Sequence, residues 1–516
     1  MAAALLAALP LTSILADENP ARPNVVLIVC DDLNDYVEGF AGHPQVLTPN
    51  LAKFAESGTR FLSAHSNNPV CAPSRASFLT GIYPHTSKNF FWAKWFENPV
   101  LKNSKSIMTY FRDEGYRVVG SGKLMHHHKR DEWDEYFQKA DYGPFVTNGK
   151  EWVAHPSVPM PYGSIGPIDG SYAMLEDVPF ADDDNPKSGW INHRYNEDGA
   201  IPFKVYPDGT TDLTPDQLNA KWAAERIQKF ATDGDDQPFF LAVGFVRPHT
   251  PLHVQKRYFD KFPLDELKLP VIKENDAEDT HYREIFTDEI KGLKYFRMLC
   301  ESYPDKETAI KTFLQAYLAC VNAVDECIGQ VVNSVEEAGL ADNTIIVMTS
   351  DHGYNMGEKD YVFKNSPWEE STRVPMIVRA PGVSIPGTTV SQPVSLIDLY
   401  PTLVDRCGLN ADNRKNDGGA RLDGYSMRAL MVAPGKNDWE GPEGALTMVW
   451  GGEHAKEPFT KYDRTHASSQ NWTLRTEKWR YIIYNNGSEE LYGARGRGGG
   501  RDGRGEWLAR ARCGGG

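Results

Sequence analysis

Cysteine is scarce in this chain of 516 residues, and its spacing excludes more than its number does. The seven cysteines (Cys30, Cys71, Cys300, Cys320, Cys327, Cys407 and Cys513) contain no C-x-x-C pair, which excludes the usual zinc-ribbon and dithiol redox frameworks. Cys320 and Cys327 fall seven apart on an expected helix and share one face, as core residues rather than as a bridge. Positive charge is also short: 55 Lys and Arg stand against 70 Asp and Glu, a formal net charge of -15. That balance excludes a general nucleic-acid binder, whose phosphate affinity rests on many Lys and Arg contacts. A strongly anionic substrate would need a local basic pocket. Beyond the first sixteen residues, no stretch approaches the roughly 18 consecutive apolar residues of a membrane span. Hydrophobic residues make up 41% and charged residues 24%, enough apolar material for a large α/β core with a smaller appended unit.

The two ends differ from the rest. Residues 1–16 are apolar and rich in small side chains, without a positive leader region, and end in Ile14-Leu15-Ala16; they resemble a secretory signal cleaved after Ala16, hence an exported protein, periplasmic or secreted. Residues 493–516 hold ten Gly and six Arg in 24 positions, a composition that builds no packed core, so the tail reads as disordered or out of frame.

Between them, short apolar strands alternate with helices. Asn24 to Cys30 is a continuous apolar run ending in Asp31-Asp32, and Thr344 to Ser350 is another ending in Asp351-His352, the pattern of strands buried on both faces of a parallel sheet. Phe239 to Phe245 is a third, ending in Arg247-Pro-His249-Thr-Pro251, and Arg117 to Gly120 delivers Gly122-Lys123. Thr48-Pro49, Ser106 and Thr214-Pro215 open helices. Phe313, Tyr317, Cys320, Val324, Ile328, Val331 and Val335 form one stripe of a long helix ending near Gly339. The stretch from Asp141 to Asp212 reads as long loops over a sheet edge, and Lys256 to about Tyr303 as a polar insertion. Ala445–Trp450, Trp472–Arg475 and Trp479–Tyr484 read as antiparallel strands of a small sheet, with Asn486-Gly487 as a turn. The expected units are an α/β domain over residues 22–425, a large and mostly parallel sheet sandwiched by helices, and a small antiparallel unit over residues 440–492.

The chain is organised around Cys71-Ala-Pro-Ser-Arg75, followed by a short apolar stretch stopped at Gly81: a loop turning into a helix with Cys71 at its amino end, where free N–H groups and the helix dipole receive anions. Alone, such a cysteine reads as a buried free thiol. The C-x-P-S-R pattern, however, resembles the signature of the type I sulfatases, in which this cysteine is oxidised after translation to formylglycine. Phe239-Phe-Leu-Ala-Val-Gly244, Ser350-Asp-His-Gly353 with Gly357-Glu358, and Leu422-Asp-Gly424 extend the likeness over residues 22–492, most closely to iduronate-2-sulfatase-like members.

The resemblance implies an alkaline phosphatase-like fold and a sulfuric ester hydrolase. Cys71, as formylglycine made by a formylglycine-generating enzyme or its anaerobic equivalent, would supply the nucleophilic hydroxyl of its hydrate and pass through a covalent sulfate intermediate. Asp31, Asp32, Asp351 and His352, with an oxygen at position 71, would hold one Ca²⁺, with Mg²⁺ as the alternative. Without the other motifs, Asp31-Asp32 reads as a pair of capping carboxylates in a turn. Arg75 and Lys123 match cations that stabilise the ionised hydroxyl, His126 a base toward the second hydroxyl, His249 a sulfate-contacting acid for the leaving alcohol, and Lys364 the second sulfate-binding lysine. Lys359, the nearest rival to Lys364, reads as exposed, as do His127 and His128. Phe90, Phe91, Trp92, Trp95 and Phe96 read equally as a sugar-stacking platform or as an apolar wall. The implied substrate is a sulfated sugar; the charge balance argues against a nucleic-acid partner, and no membrane span is expected. A phosphonate or phosphate ester hydrolase, and a non-catalytic glycan binder in which Cys71 stays a thiol, are the alternatives.

Overall fold

The computed structural model describes residues 22–180, 188–193, 200–273, 276–435, 438–451, 454–456 and 465–493. The expected leader (1–16), almost all of the expected tail and Cys513 lie outside them. The central sheet is built from β1 (Asn24–Asp31), β2 (Thr59–His65), β3 (Arg117–Gly122), β4 (Glu135–Lys139), β5 (Phe239–Pro248), β6 (Thr344–Ser350), β7 (Arg373–Arg379) and β8 (Thr388–Val390). The helices that bear on the site are α1 (Pro49–Glu56), α2 (Cys71–Thr80), α3 (Pro215–Thr232), α4 (Lys291–Glu301) and α5 (Lys306–Glu337).

The sheet runs in the order β8-β2-β7-β6-β1-β5-β3-β4, with the short strand Val394–Ser395 also paired to β2, making nine strands. Only β7 pairs antiparallel to its neighbours, so the sheet is mixed but mostly parallel. Alternate residues of β1 feed opposite faces. Val26, Ile28 and Cys30 pack with the α5 stripe of Phe313, Tyr317 and Val324, whereas Val25, Leu27 and Val29 pack with Phe78, Leu79 and Leu403. A strand buried on both sides needs apolar residues at every position, and all eight of β1 are buried. The long helix covers Lys306–Glu337, as the stripe anticipates, and Thr214 caps α3 with a reciprocal bond pair to Gln217.

Two expectations need correction. Residues 141–212 are not simply loops: Phe145–Asn148, Trp152–Val153, Ser188–His193 and Ala200–Pro202 pair into a four-stranded antiparallel sheet, and Tyr172–Met174 pairs in parallel with Leu252–Val254. These strands are two to six residues long, too short to display a period among the surrounding Pro, Gly and Asp. The segment from Lys256 to Tyr303 is not a polar excursion either. Tyr282, Ile285, Phe286, Ile290 and Leu293 share a buried cluster with Tyr361, Trp368 and with Ile482, Tyr484 and Tyr492 of the C-terminal sheet. That sheet is four-stranded, Gly444–Val449, Asn471–Thr476, Trp479–Ile483 and Glu489–Gly493, all antiparallel, with Asn486-Gly487 between its last two strands.

Register decides what lies at the carboxyl edge of the sheet. Cys30 is level with Ser350 and Asp31 with Pro248, so the polar pairs ending β1 and β6 emerge side by side, next to the turn that carries His249. Gly122 (φ 78) and Gly244 let β3 and β5 close up there; a Cβ at Gly244 would strike the main chain of Lys123.

Helix α1 has no side-chain cap of its own. Its amino end is met instead by Asp325 of α5, whose carboxylate accepts from Asn50 N (3.1 Å), Asn50 Nδ2 (2.8 Å) and Leu51 N (2.8 Å). Asp325→Ala is expected to lower unfolding stability by about 2 kcal/mol, because three donors lose their acceptor in a largely buried place. Denaturant titration checks this, and an unchanged midpoint would show that the cap carries no stability.

Candidate active site

Helix α2 is buried along all ten residues and ends on Gly81 in the left-handed region, where a side chain would run into Leu422. Its first residue, Cys71, has no exposed surface. Burial alone raises a thiol pKa, yet Lys123 and Lys364 draw that of Cys71 below its ordinary value, which marks a positive field at this point.

Arg75, one turn further on, ties the helix to three strand ends. Its Nε donates to Asp351 Oδ2 (2.8 Å), Nη1 to the carbonyls of Lys123 and Leu124 (3.1 Å for the latter), and Nη2 to Cys30 O (3.1 Å). Asp31 Oδ1 lies 3.7 Å from Nη2. Ser74, the fourth residue of the signature, donates to Asp351 O (2.6 Å) and contacts Ser66 Oγ (3.1 Å). The sequence marks Ser74 only as part of a pattern; its task is to lock α2 against β6.

Three carboxylates lie here, each differently engaged. Asp31 Oδ2 accepts from Lys123 Nζ, whereas Asp31 Oδ1, though buried, has no hydrogen-bond partner. Burial works against ionising Asp31, but Lys123 and the neighbouring cations hold it well below the usual carboxylate range. Asp351 Oδ1 accepts from the main-chain N–H groups of His352 (2.9 Å) and Asp32 (3.3 Å). Asp32 adopts φ 64, a left-handed turn that Asp tolerates better than most residues, and its carboxylate accepts from Lys364 Nζ at 2.8 and 3.1 Å. Tyr317, read from the sequence as a stripe residue only, donates its hydroxyl to Asp32 O (2.7 Å) and accepts from Asn34 N (3.0 Å), fixing that turn.

His352 completes the cluster. Its Nδ1 faces the carbonyl of Gly353 at 3.0 Å; a carbonyl only accepts, so Nδ1 carries the hydrogen and Nε2 keeps its lone pair. That buried Nε2 has no hydrogen-bond partner, like Asp31 Oδ1. One ligand atom from each of Asp31, Cys71, Asp351 and His352 falls within 4.8 Å of the others, and Asp31, Asp32 and His249 make a second such group. Two orphaned acceptors among converging carboxylates fit a hard divalent cation. The four sequence-nominated ligands therefore divide: Asp31, Asp351 and His352 gather at Cys71, while Asp32 is turned toward Lys364.

The remaining nominees surround this cluster. His249 stands 3.8 Å from Asp32 Oδ2 through Nε2 and 2.5 Å from Thr250 O through Nδ1; burial and Lys364 hold it neutral. Its loop is anchored by Asp216, which accepts from Val246 N and Arg247 N at 2.8 Å each. His126 packs edge-on to Trp92, 4.4 Å between centroids, and its buried Nδ1 has no partner. Burial, then Lys123, pushes its pKa down to about 3, so its lone pair is free at neutral pH. Tyr142, absent from the sequence reading, covers Lys123 Nζ at 4.9 Å and lies 5.0 Å from the His249 ring. No short sequence signal marks it.

Lys359 is not the exposed rival it was expected to be: it is largely buried and paired to Asp276 (2.8 Å) and Asp279 (2.5 Å), away from the cluster. His127 and His128 are half-buried, the latter against Tyr136. Of the aromatics after α2, Phe90 and Trp95 are buried, Phe91 stacks on Trp450 and Trp92 is 43% exposed. The group is thus in part an apolar wall, with the Trp92 ring left at the surface.

The sequence profile of the sulfatase family matches residues 23–409. The chain is 30% identical to a sulfatase of Formosa agariphila over 483 residues, covering 91% of this chain and 80% of that protein. It is 27% identical to the iduronate 2-sulfatase of Mus musculus, over 75% of this chain and 69% of that one. Among solved structures, a phosphonate monoester hydrolase from Silicibacter pomeroyi superposes with a TM-score of 0.64 at 21% identity, covering 94% and 90% of the two chains; the likeness is one of fold.

Arg75→Ala is expected to cost about 3–5 kcal/mol of stability, since it removes the cation beside two buried carboxylates and takes one donor from each of three carbonyls. Chemical denaturation of the purified variant measures this; a loss below about 1 kcal/mol would show that the guanidinium does not hold the helix to the sheet.

Proposed function

The chain belongs to the sulfatase family, and from that premise we propose that it hydrolyses the sulfate ester of a sulfated sugar, using formylglycine made from Cys71. The observation that supports this reading is the convergence of Asp31, Asp351 and His352 on Cys71, ringed by Arg75, Lys123 and Lys364. Sulfate hydrolysis is slow because negative oxygens shield the sulfur and the alkoxide leaves poorly. A catalyst therefore needs a strong nucleophile, positive charge around the sulfate and a proton donor. Formylglycine supplies a hydrate with one hydroxyl to attack sulfur and a second whose deprotonation expels sulfate.

Asp31, Asp351 and His352, joined by Asp32 once its carboxylate turns from Lys364, would hold the divalent cation, Ca²⁺ with Mg²⁺ as the alternative, which would polarise the sulfate and acidify the attacking hydroxyl. Lys123 and Lys364 would bind sulfate oxygens, and Arg75 keeps the helix dipole and position 71 aimed at them. Neutral His126 has a free lone pair to take the proton of the second hydroxyl. His249 Nε2 would face the bridging oxygen; neutral in the bare site, with its hydrogen on Nδ1 toward Thr250 O, the ring would have to take up a proton beside the bound sulfate before serving as the acid for the leaving alcohol. The sugar is supported by the relative named iduronate 2-sulfatase and by the aromatic surface beside the cluster. Export, by the leader-like residues 1–16, and maturation by a formylglycine-generating enzyme belong to the same proposal; among the described residues no helix is long and apolar enough to cross a membrane.

Co-expressed with a formylglycine-generating enzyme, the protein is expected to show the aldehyde form in the Cys71 peptide by mass spectrometry and to release sulfate from 4-nitrophenyl sulfate. Cys71→Ala is expected to abolish turnover. Unmodified thiol and no turnover would favour a glycan-binding role, whereas faster cleavage of an aryl phosphonate ester would move the protein to that branch of the superfamily. Stripping divalent cations with EDTA is expected to abolish turnover and lower the melting temperature, and added Ca²⁺ to restore both. Full activity without metal would remove the cation from the mechanism. Lys364→Ala is expected to raise KM at least tenfold, with a smaller fall in kcat, read by steady-state kinetics.

A further inference from the structure

A pocket opens beside the cluster, lined by Val70, Phe91, Trp92, Lys291, Lys364 and Trp450 among others. One wall is rigid: Phe91 and Trp450 stack at 3.5 Å and 10°, and Trp450 is clamped by Asn365, whose side chain bonds its N–H (3.1 Å) and its carbonyl (3.3 Å). Among the aromatic rings that line the pocket, Trp92 has the most exposed surface, 43%.

The two lysines of the pocket are differently employed. Lys364 is 5% exposed and bound to Asp32. Lys291, the first residue of α4, is 51% exposed and, among the described residues, has one carboxylate contact, Asp169 Oδ2 at 3.3 Å. Both ammonium groups lie over the ring of Phe363, at 5.1 Å for Lys291 and 5.6 Å for Lys364, so their separation is at most the sum of those distances. A substituted sugar ring can span that gap. Asp169 also accepts from Tyr295 (3.0 Å) and from Thr250 (3.1 Å), the residue after His249, so the carboxylate that steadies Lys291 is joined to the His249 loop. An ammonium has three N–H donors, and one toward Asp169 leaves two for a ligand.

We propose that Lys291 is the specificity-determining cation of this site: it receives a second anionic group, a carboxylate or a further sulfate, on a sugar whose ring rests on Trp92 while its scissile sulfate lies between Cys71 and Lys364. This rests on the sulfatase reading above and narrows its substrate to sugars of more than one negative charge. In a chain of net charge -15, such a substrate is repelled overall, and recognition has to come from a cation at the pocket wall.

The test compares kcat/KM of the matured protein on a 2-sulfated uronic acid glycoside, a 2,6-disulfated hexoside and a 2-sulfated neutral hexoside, with 4-nitrophenyl sulfate as the simple ester. Wild type is expected to favour one of the two doubly anionic sugars over the neutral one by at least about tenfold, mainly through KM. Lys291→Gln should bring that ratio to within about threefold of unity, and Lys291→Arg should retain most of it. Which sugar shows the preference tells carboxylate from sulfate. Turnover of 4-nitrophenyl sulfate with no preference in wild type, or with a preference that survives in a Lys291→Gln variant of unchanged melting temperature, overturns the assignment of Lys291 alone. Failure of wild type on every ester overturns the sulfatase reading on which it stands.

Discussion

The arrangement depends on a single guanidinium. Arg75 is enclosed with no exposed side-chain surface, and from one position it reaches Asp351 at the end of β6, Cys30 at the end of β1 and the two residues after β3. A planar fork with five donors can serve several acceptors in fixed directions, which a lysine cannot. Burying that charge is tolerable only because carboxylates and carbonyls surround it. The helix that begins with Cys71 is thereby held in one orientation relative to the carboxyl edge of the sheet, and each distance in the site follows from that.

Charge balance is the second constraint. Asp31, Asp32 and Asp351 face Arg75, Lys123 and Lys364, so the bare cluster of six groups is close to neutral. The acceptors are nevertheless not fully satisfied, since one oxygen of Asp31 and the lone pair of neutral His352 meet no donor. Adding a divalent cation there would satisfy both and leave the pocket net positive, the condition for attracting a sulfate ester to an acidic protein. In a region shielded from water such a field acts at short range and is poorly screened.

Much of this was legible in the residues because the strongest signals are those of backbone burial. Asn24 to Cys30 and Thr344 to Ser350 are apolar without interruption, and a strand that looks like that belongs in the middle of a parallel sheet; they prove to be neighbours, which brings Asp31-Asp32 beside Asp351-His352. The stripe from Phe313 to Val335 is long enough to declare its period. What stayed hidden has a common cause. The strands between residues 145 and 202 owe their pairing to partners elsewhere in the chain rather than to a repeat of their own. Tyr142, Ser74 and Tyr317 act through one hydroxyl or one ring, and nothing in their flanking residues distinguishes them from core or loop side chains. Lys359 looked like any surface lysine because Asp276 and Asp279, which hold it, lie some eighty positions earlier.

The enclosure of position 71 also has a bearing on chronology. Its sulfur lies beneath the first turn of a helix buried along its whole length, and the preceding loop is roofed by the C-terminal sheet, where Thr447 donates to Ser66 O and Met448 to Asn67 O. Those roofing residues are made nearly four hundred positions after the cysteine, so a nascent chain passes through an interval in which the segment is synthesised but not yet covered. A second protein that altered this side chain would need the segment uncovered, as it is before the C-terminal sheet packs over it. The same packing that shelters the site thus sets a deadline for equipping it.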